Sequence, residues 1–344
     1  YTIESTTGNM TDGYVITNKF KVPDEKVSVN VTKNWEDTEE QKDKRPEKVT
    51  IVLKANTEEV ADQRKEISTT ENTTVTFENL PKYDSNGDEI VYTATEEGNN
   101  KFYTVEETTG NIQEGYTVTN KFVKPEETTE ITVNKIWKDN SEQASRRPGS
   151  IIIVVKNGDQ EVASKKVTSN DIVEGTTNQW TVTIDNLQKY DDNGNEIKYT
   201  VDEKEDPEDT VGMKFYEKTG VTEVKDGQAS ITNTYKTPSD TVSVKVTKNW
   251  EDTEEQKDKR PEKVTIVLKA NTEEVAEQRK EISTTENTTI TFDNLPRYDS
   301  NGKEIVYTVT EEGNNQFYTV EGPTGNMQEG YTITNKFVRP EETI

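Results

Sequence analysis

Apolar and polar residues alternate along Val27-Ser-Val-Asn-Val-Thr-Lys33-Asn-Trp35. In an extended strand successive side chains point to opposite faces, so Val27, Val29, Val31, Lys33 and Trp35 share one face. The pattern returns in Ile131-Thr-Val-Asn-Lys135-Ile-Trp137 and in Val242-Ser-Val-Lys-Val-Thr-Lys248-Asn-Trp250. Each copy places one lysine on a face that is otherwise apolar. A lone buried ammonium is costly unless it is paired or neutralised, so a partner is expected on another strand of the same repeat.

The segments that follow read as β-structure too. Glu36 to Arg45 is a charged loop ahead of Pro46, and Val49 to Lys54 is a strand. Asn56 to Glu66 is dense in charge and reads as part of a hairpin rather than a short helix, because strand-like Glu66-Ile-Ser-Thr-Thr follows it. Thr73 to Leu80 alternates well. An Asn86-Gly87 pair between Tyr83 and Tyr92 signals a hairpin turn, and it recurs at Asn193-Gly194 and Asn301-Gly302. Many short strands separated by turn residues predict β-sandwich domains.

Repetition sets the domain organisation. Residues 27–122 match 242–337 almost residue for residue, at an offset of 248 − 33 = 215, and a diverged copy lies between them. The expected domains are 23–124, 125–237 and 238–344, each about the size of an ordinary domain. Residues 1–22 read as the tail of a preceding repeat, since Tyr1 to Phe20 parallels Tyr103 to Phe122. Such a tail cannot bury a core alone. Short linkers containing Pro23, Pro125 and Pro238 favour an extended, monomeric rod.

Composition narrows the function classes. The chain has 344 residues, 28% of them apolar and 32% charged, with a formal net charge of −25 and neither cysteine nor histidine. Small cores with heavily charged outer faces are expected. Disulfides, thiolate nucleophiles and cysteine-based zinc sites are excluded, and the usual general base and commonest metal ligand are missing. The acidic surface disfavours nucleic acid. No apolar run approaches the length of a membrane span, and no signal peptide is visible. Asp84-Ser-Asn-Gly-Asp-Glu89 is a fragment of a calcium-loop pattern, but a turn explains it. The Asn56–Lys65 charge cluster reads as a solvated face, and Trp35, Trp137, Trp250 and Trp180 as core. No cofactor and no metal are called for.

Two further strands in each repeat carry a polar residue on an apolar face. Ile90, Tyr92 and Ala94 share theirs with Glu96; Ile197, Tyr199 and Val201 with Glu203; Ile305, Tyr307 and Val309 with Glu311. In the last strand, Asn120 lies with Tyr116, Val118 and Phe122, Asn233 with Ile231 and Tyr235, and Asn335 with Tyr331, Ile333 and Phe337. One Lys, one Glu and one Asn per repeat therefore face the core. A buried Lys–Glu ion pair with an incidental asparagine would account for this pattern in a single repeat. Recurrence in all three repeats argues for a common purpose.

The order Val-x-Lys-x-Trp, Tyr-Thr-x-x-Glu and Ile/Val-Thr-Asn resembles the CnaB-type domain of Gram-positive collagen adhesins and sortase-assembled pilins. The resemblance covers the three full repeats and the N-terminal remnant. It implies an all-β fold, a tandem array of inverse immunoglobulin-like β-sandwiches. It also implies a self-formed Lys–Asn isopeptide bond joining first and last strands, assisted by an acidic residue. Carried onto this chain, the cross-links are Lys33–Asn120 assisted by Glu96, Lys135–Asn233 assisted by Glu203, and Lys248–Asn335 assisted by Glu311. The spacing agrees in the two near-identical copies, 120 − 33 = 87 and 335 − 248 = 87, and lengthens to 233 − 135 = 98 in the middle one. That difference places insertions near Ser169–Gln179 and Lys204–Val211. Lys135 is followed by Ile136 where the other copies have Asn. Asn18 has no Lys or Glu partner in the remnant, so no bond is expected there.

The resemblance implies the stalk of a cell-surface adhesin, extracellular and attached to the cell wall through a sorting signal outside this sequence, and not an ordinary enzyme. Alternatives are a ligand-binding module engaging a host matrix protein and a sortase-assembled pilin shaft. No Tyr-Pro-Lys pilin motif and no LPXTG-like signal occurs here.

Overall fold

Strands form where the two-residue period puts Val, Ile and aromatic side chains on one face, and they end at charged or Asn/Gly-rich segments. In a computed structural model the described residues are 1–340, and among them the regular structure is β, apart from short 3-10 turns. Each full repeat is built from two facing sheets.

In the first repeat one sheet has the lysine strand Lys26–Glu36 at its centre. It pairs antiparallel with Thr73–Pro81 and parallel with the asparagine strand Gly115–Phe122. The second sheet has Lys48–Ala55 between Glu58–Ser68 and the glutamate strand Tyr92–Glu97. The core between the sheets contains Val29, Val31, Ile51, Leu53, Phe77 and Val118, all fully buried. The third repeat uses the same order, with lysine strand Thr241–Glu251, glutamate strand Tyr307–Glu312 and asparagine strand Gly330–Phe337. In the middle repeat the corresponding strands are Thr128–Lys138, Tyr199–Glu205 and Gln228–Tyr235. By packing, Tyr1–Thr129 groups with Asp185–Lys198, and Glu130–Ile184 groups with residues 199–340.

The charged segment 56–66 is a hairpin arm: Lys48–Ala55 turns through Asn56 and Thr57, both at positive φ, into Glu58–Ser68. The tryptophans are core, with Trp137 fully buried and Trp35, Trp180 and Trp250 nearly so. Both expected insertions of the middle repeat carry short 3-10 turns at or beside them, at Ser169–Asp171 and Gly212–Phe215.

Two details differ from the reading of the sequence. The loop after Trp35 is not irregular throughout, because Glu39–Lys44 forms a 3-10 turn capped reciprocally by Thr38 and Gln41. The Asn86-Gly87 turn closes only a single bridge, Tyr83 to Glu89, and the flanking strands Thr73–Pro81 and Tyr92–Glu97 belong to different sheets. Residues 1–20 form a two-stranded hairpin, Thr2–Asn9 with Gly13–Lys19, exposed along its length. The Asp84 carboxylate accepts hydrogen bonds from the N–H groups of Asn86 and Asp88 at 2.8 and 2.9 Å, so the turn itself occupies that part of the calcium-like segment.

Candidate cross-linking site

The alternation that places Val29 and Val31 inward also carries Lys33 inward, and Lys33 is fully buried. The neighbouring parallel strand sets Val118 opposite Lys33 and Asn120 opposite Trp35. Asn120 is therefore two residues further along the adjacent strand than the residue opposite Lys33, on the same inward face. Glu96 reaches the pair from the opposite sheet, and its side chain is fully buried. Its Oε2 lies 3.4 Å from Lys33 Nζ, and its Oε1 accepts a hydrogen bond from Asn120 Nδ2 at 2.6 Å. One carboxylate thus touches both the amine and the carboxamide.

The third repeat repeats this geometry. Glu311 Oε2 is 3.4 Å from Lys248 Nζ, and Glu311 Oε1 accepts from Asn335 Nδ2 at 2.7 Å. In the middle repeat Lys135 Nζ is 3.2 Å from Glu203 Oε2, and Asn233 is fully buried on the strand beside Lys135. There Asn233 makes no hydrogen bond to Glu203; both atoms of its amide and Glu203 Oε1 lack hydrogen-bond partners among the described residues. Buried polar atoms left this way are costly and uncommon in native structures.

Burial pushes the amines of Lys33, Lys135 and Lys248 down from 10.5 to about 8, against the opposing pull of the paired glutamate in each repeat. Arg45 lowers Lys33 further, and Lys218 does the same to Lys135. A less basic amine gives up its proton more readily and so becomes a nucleophile. The set supplies a nucleophile, an electrophilic carboxamide and a carboxyl group able to carry protons between them. Among the described residues no group of histidine, cysteine, aspartate and glutamate side chains is placed to hold a metal ion.

The sequence reading missed a second buried group beside each site. Arg45 donates to both oxygens of Asp37 at 2.7 Å, and Tyr103 donates to Asp37 Oδ2 at 2.6 Å. Both cations lie near Trp35, with Lys33 Nζ 4.1 Å and Arg45 Cζ 4.9 Å from a ring centroid. Asp252, Arg260 and Tyr318 form the same arrangement on Trp250, and Asp139, Arg147 and Tyr216 pair likewise in the middle repeat. A further helper, Asn99, accepts from Asn120 Nδ2 at 3.4 Å, as Asn314 does from Asn335 at 3.3 Å.

Tandem two-sheet sandwiches, each with a lysine and an asparagine on neighbouring parallel strands and a glutamate facing the lysine, define a class of repeat modules. The chain belongs to the Cna protein B-type domain family, whose pattern it matches over residues 29–121, 131–234 and 244–336. It is 36% identical over 333 residues to a collagen adhesin of Staphylococcus aureus, an alignment covering 96% of this chain and 25% of that protein. Among solved structures it is similar to two B repeat units of the Staphylococcus aureus collagen-binding protein, at 34% identity and a TM-score of 0.36, covering 92% of this chain and 74% of that one. A single B repeat unit of the same protein matches at 32% identity and a TM-score of 0.25, covering 61% of this chain and 99% of that one.

Proposed function

We propose that this chain is a stalk segment of a Gram-positive cell-surface adhesin, stiffened by three self-formed bonds, Lys33–Asn120, Lys135–Asn233 and Lys248–Asn335. The observation that carries the proposal is the recurrence, in every full repeat, of a buried lysine and asparagine on neighbouring first and last strands with a buried glutamate against the lysine.

The chemistry starts with transfer of one proton from the lysine ammonium to the glutamate. The neutral Nζ attacks the asparagine Cγ; the Nζ–Cγ bond forms and the Cγ–Nδ2 bond breaks. Glutamate hands its proton to Nδ2, and a second proton from Nζ follows, so the nitrogen departs as ammonium and the glutamate ends as a carboxylate. Enforced proximity supplies much of the acceleration. Each bond forms once, so the process is maturation and not turnover. Where the sites are short of hydrogen bonds, as around Asn233, reaction removes the amide nitrogen and converts the amine to an amide.

A mature bond bypasses the residues between lysine and asparagine. A pull on the chain ends is then carried from first strand to last strand through a covalent link, not through the intervening strands. High negative charge favours solubility of such a segment. Attachment to the cell wall is assigned to a sorting signal elsewhere in the parent protein, and adhesion to other regions. The alternative, a module that itself grips a matrix protein, is tested by solid-phase binding of the purified chain to collagen and other matrix proteins. The stalk reading predicts no saturable binding; tight saturable binding contradicts it.

A further inference from the structure

The Asn-Gly turn has a second role that hairpin chemistry does not require. In Tyr1–Thr129 with Asp185–Lys198, Gly194 of the turn Tyr190-Asp-Asp-Asn-Gly194 lies against Phe102 so closely that a Cβ would meet the ring at 3.1 Å. Tyr190 stands edge-on to Phe102 with centroids 5.4 Å apart. Lys101 Nζ donates to Tyr190 Oη at 2.6 Å and pairs with Glu127 at 2.8 Å. Gln41 Nε2 donates to the backbone oxygen of Asp192 at 3.1 Å, its own amide oxygen being held by the Thr38 N–H.

The same set recurs independently within the second group of residues. Tyr298 is edge-on to Phe215 at 5.2 Å, and Lys214 Nζ donates to Tyr298 Oη at 2.7 Å. Gln143 Nε2 donates to the Ser300 oxygen at 3.2 Å, and a Cβ on Gly302 would meet Phe215 at 3.0 Å. A reduced version is present at Gly87, where a Cβ would meet the Phe20 ring at 2.8 Å.

We propose that the end of each repeat is a socket for the Tyr-Asp-x-Asn-Gly turn of the repeat that follows, and that the lysine at position 101 or 214 latches it. The phenylalanine offers a flat apolar seat, glycine lets the turn backbone reach it, and glutamine fixes the depth. The lysine bonds the tyrosine hydroxyl and sets whether the joint is held or compliant. The third repeat keeps Gln256, Phe317 and Phe337 but has Gln316 where the latch lysine stands, so its socket is the compliant form. This inference does not depend on the Lys–Asn bonds.

The full chain contains no cysteine, so paired nitroxides can be attached at Glu106→Cys and Asp185→Cys, both exposed positions. Pulsed dipolar spectroscopy of this chain is expected to give one narrow distance distribution. Lys101→Gln and Tyr190→Ala should each broaden it on the order of twofold, and Lys101→Arg should keep it narrow. Lys101 is about half exposed, 45% at its side chain, so Lys101→Gln leaves the sandwich folded. A broad distribution in the parent, or an unchanged width in Lys101→Gln and Tyr190→Ala, overturns the proposal.

Discussion

Glu96→Gln is expected to abolish the Lys33–Asn120 bond while leaving the other two intact, so that the deficit against the variant's own sequence mass falls from three ammonia molecules to two. Glutamine has nearly the shape of glutamate, but it cannot receive the lysine proton or return it to the departing nitrogen. In the structure Glu96 is the only carboxylate that touches both Lys33 and Asn120 among the described residues. Losing the bond removes a covalent loop closure spanning 120 − 33 = 87 residues. By analogy with a disulfide closing a loop of that size, the first repeat should lose on the order of 4–5 kcal/mol of stability. Calorimetry should show one transition moving down while the third repeat, whose site is built from Lys248, Glu311 and Asn335, stays in place. If Lys33 and Glu96 were only an ion pair, Glu96→Gln would change stability and leave the mass deficit of the parent unaltered.

The second large effect is on the pH dependence of bond formation. The mechanism carries one proton from the lysine ammonium through the glutamate to the leaving nitrogen. Burial brings Lys33 down to about 8, so the pair keeps that proton below that pH and loses it to solvent above. The sign follows from the mechanism: with the proton lost, the amine is still neutral, but no acid remains to release ammonia. The rate should therefore fall about tenfold per pH unit well above about pH 8. Unfolded, unreacted chain refolded into a series of buffers, quenched in denaturant and weighed over time gives this profile. A rate that keeps climbing above pH 8 would assign the reaction to the free amine alone and remove glutamate from its role.

Much of the site could be read from residue order, because a strand has a period of two. Once Val29, Val31 and Trp35 are inward, Lys33 must be, and the same logic places Glu96 beside Ala94 and Asn120 beside Val118. The tandem sandwich followed from repetition and turn residues. What could not be read is what periodicity does not encode. The partners Asp37 and Arg45 are eight residues apart in a charge-dense segment, where no face pattern separates a buried pair from solvated neighbours. Asn99 lies just beyond the glutamate strand and contacts Asn120 only through the fold. The Asn-Gly turn signalled a hairpin, yet its flanking strands go to different sheets, and its glycine serves contacts with Phe102 that lie far away in sequence. The middle repeat shows the limit of homology by position. It brings Lys135 to Glu203, but Asn233 lacks the hydrogen bond to glutamate that Asn120 and Asn335 make.

The most direct measurement is the intact mass of the purified chain in denaturant. Three Lys–Asn bonds make the chain lighter than its sequence by three ammonia molecules, and Lys33→Ala should reduce that deficit to two. A chain at its full sequence mass would contradict the account, leaving sandwiches with buried ion pairs and no covalent link between first and last strands.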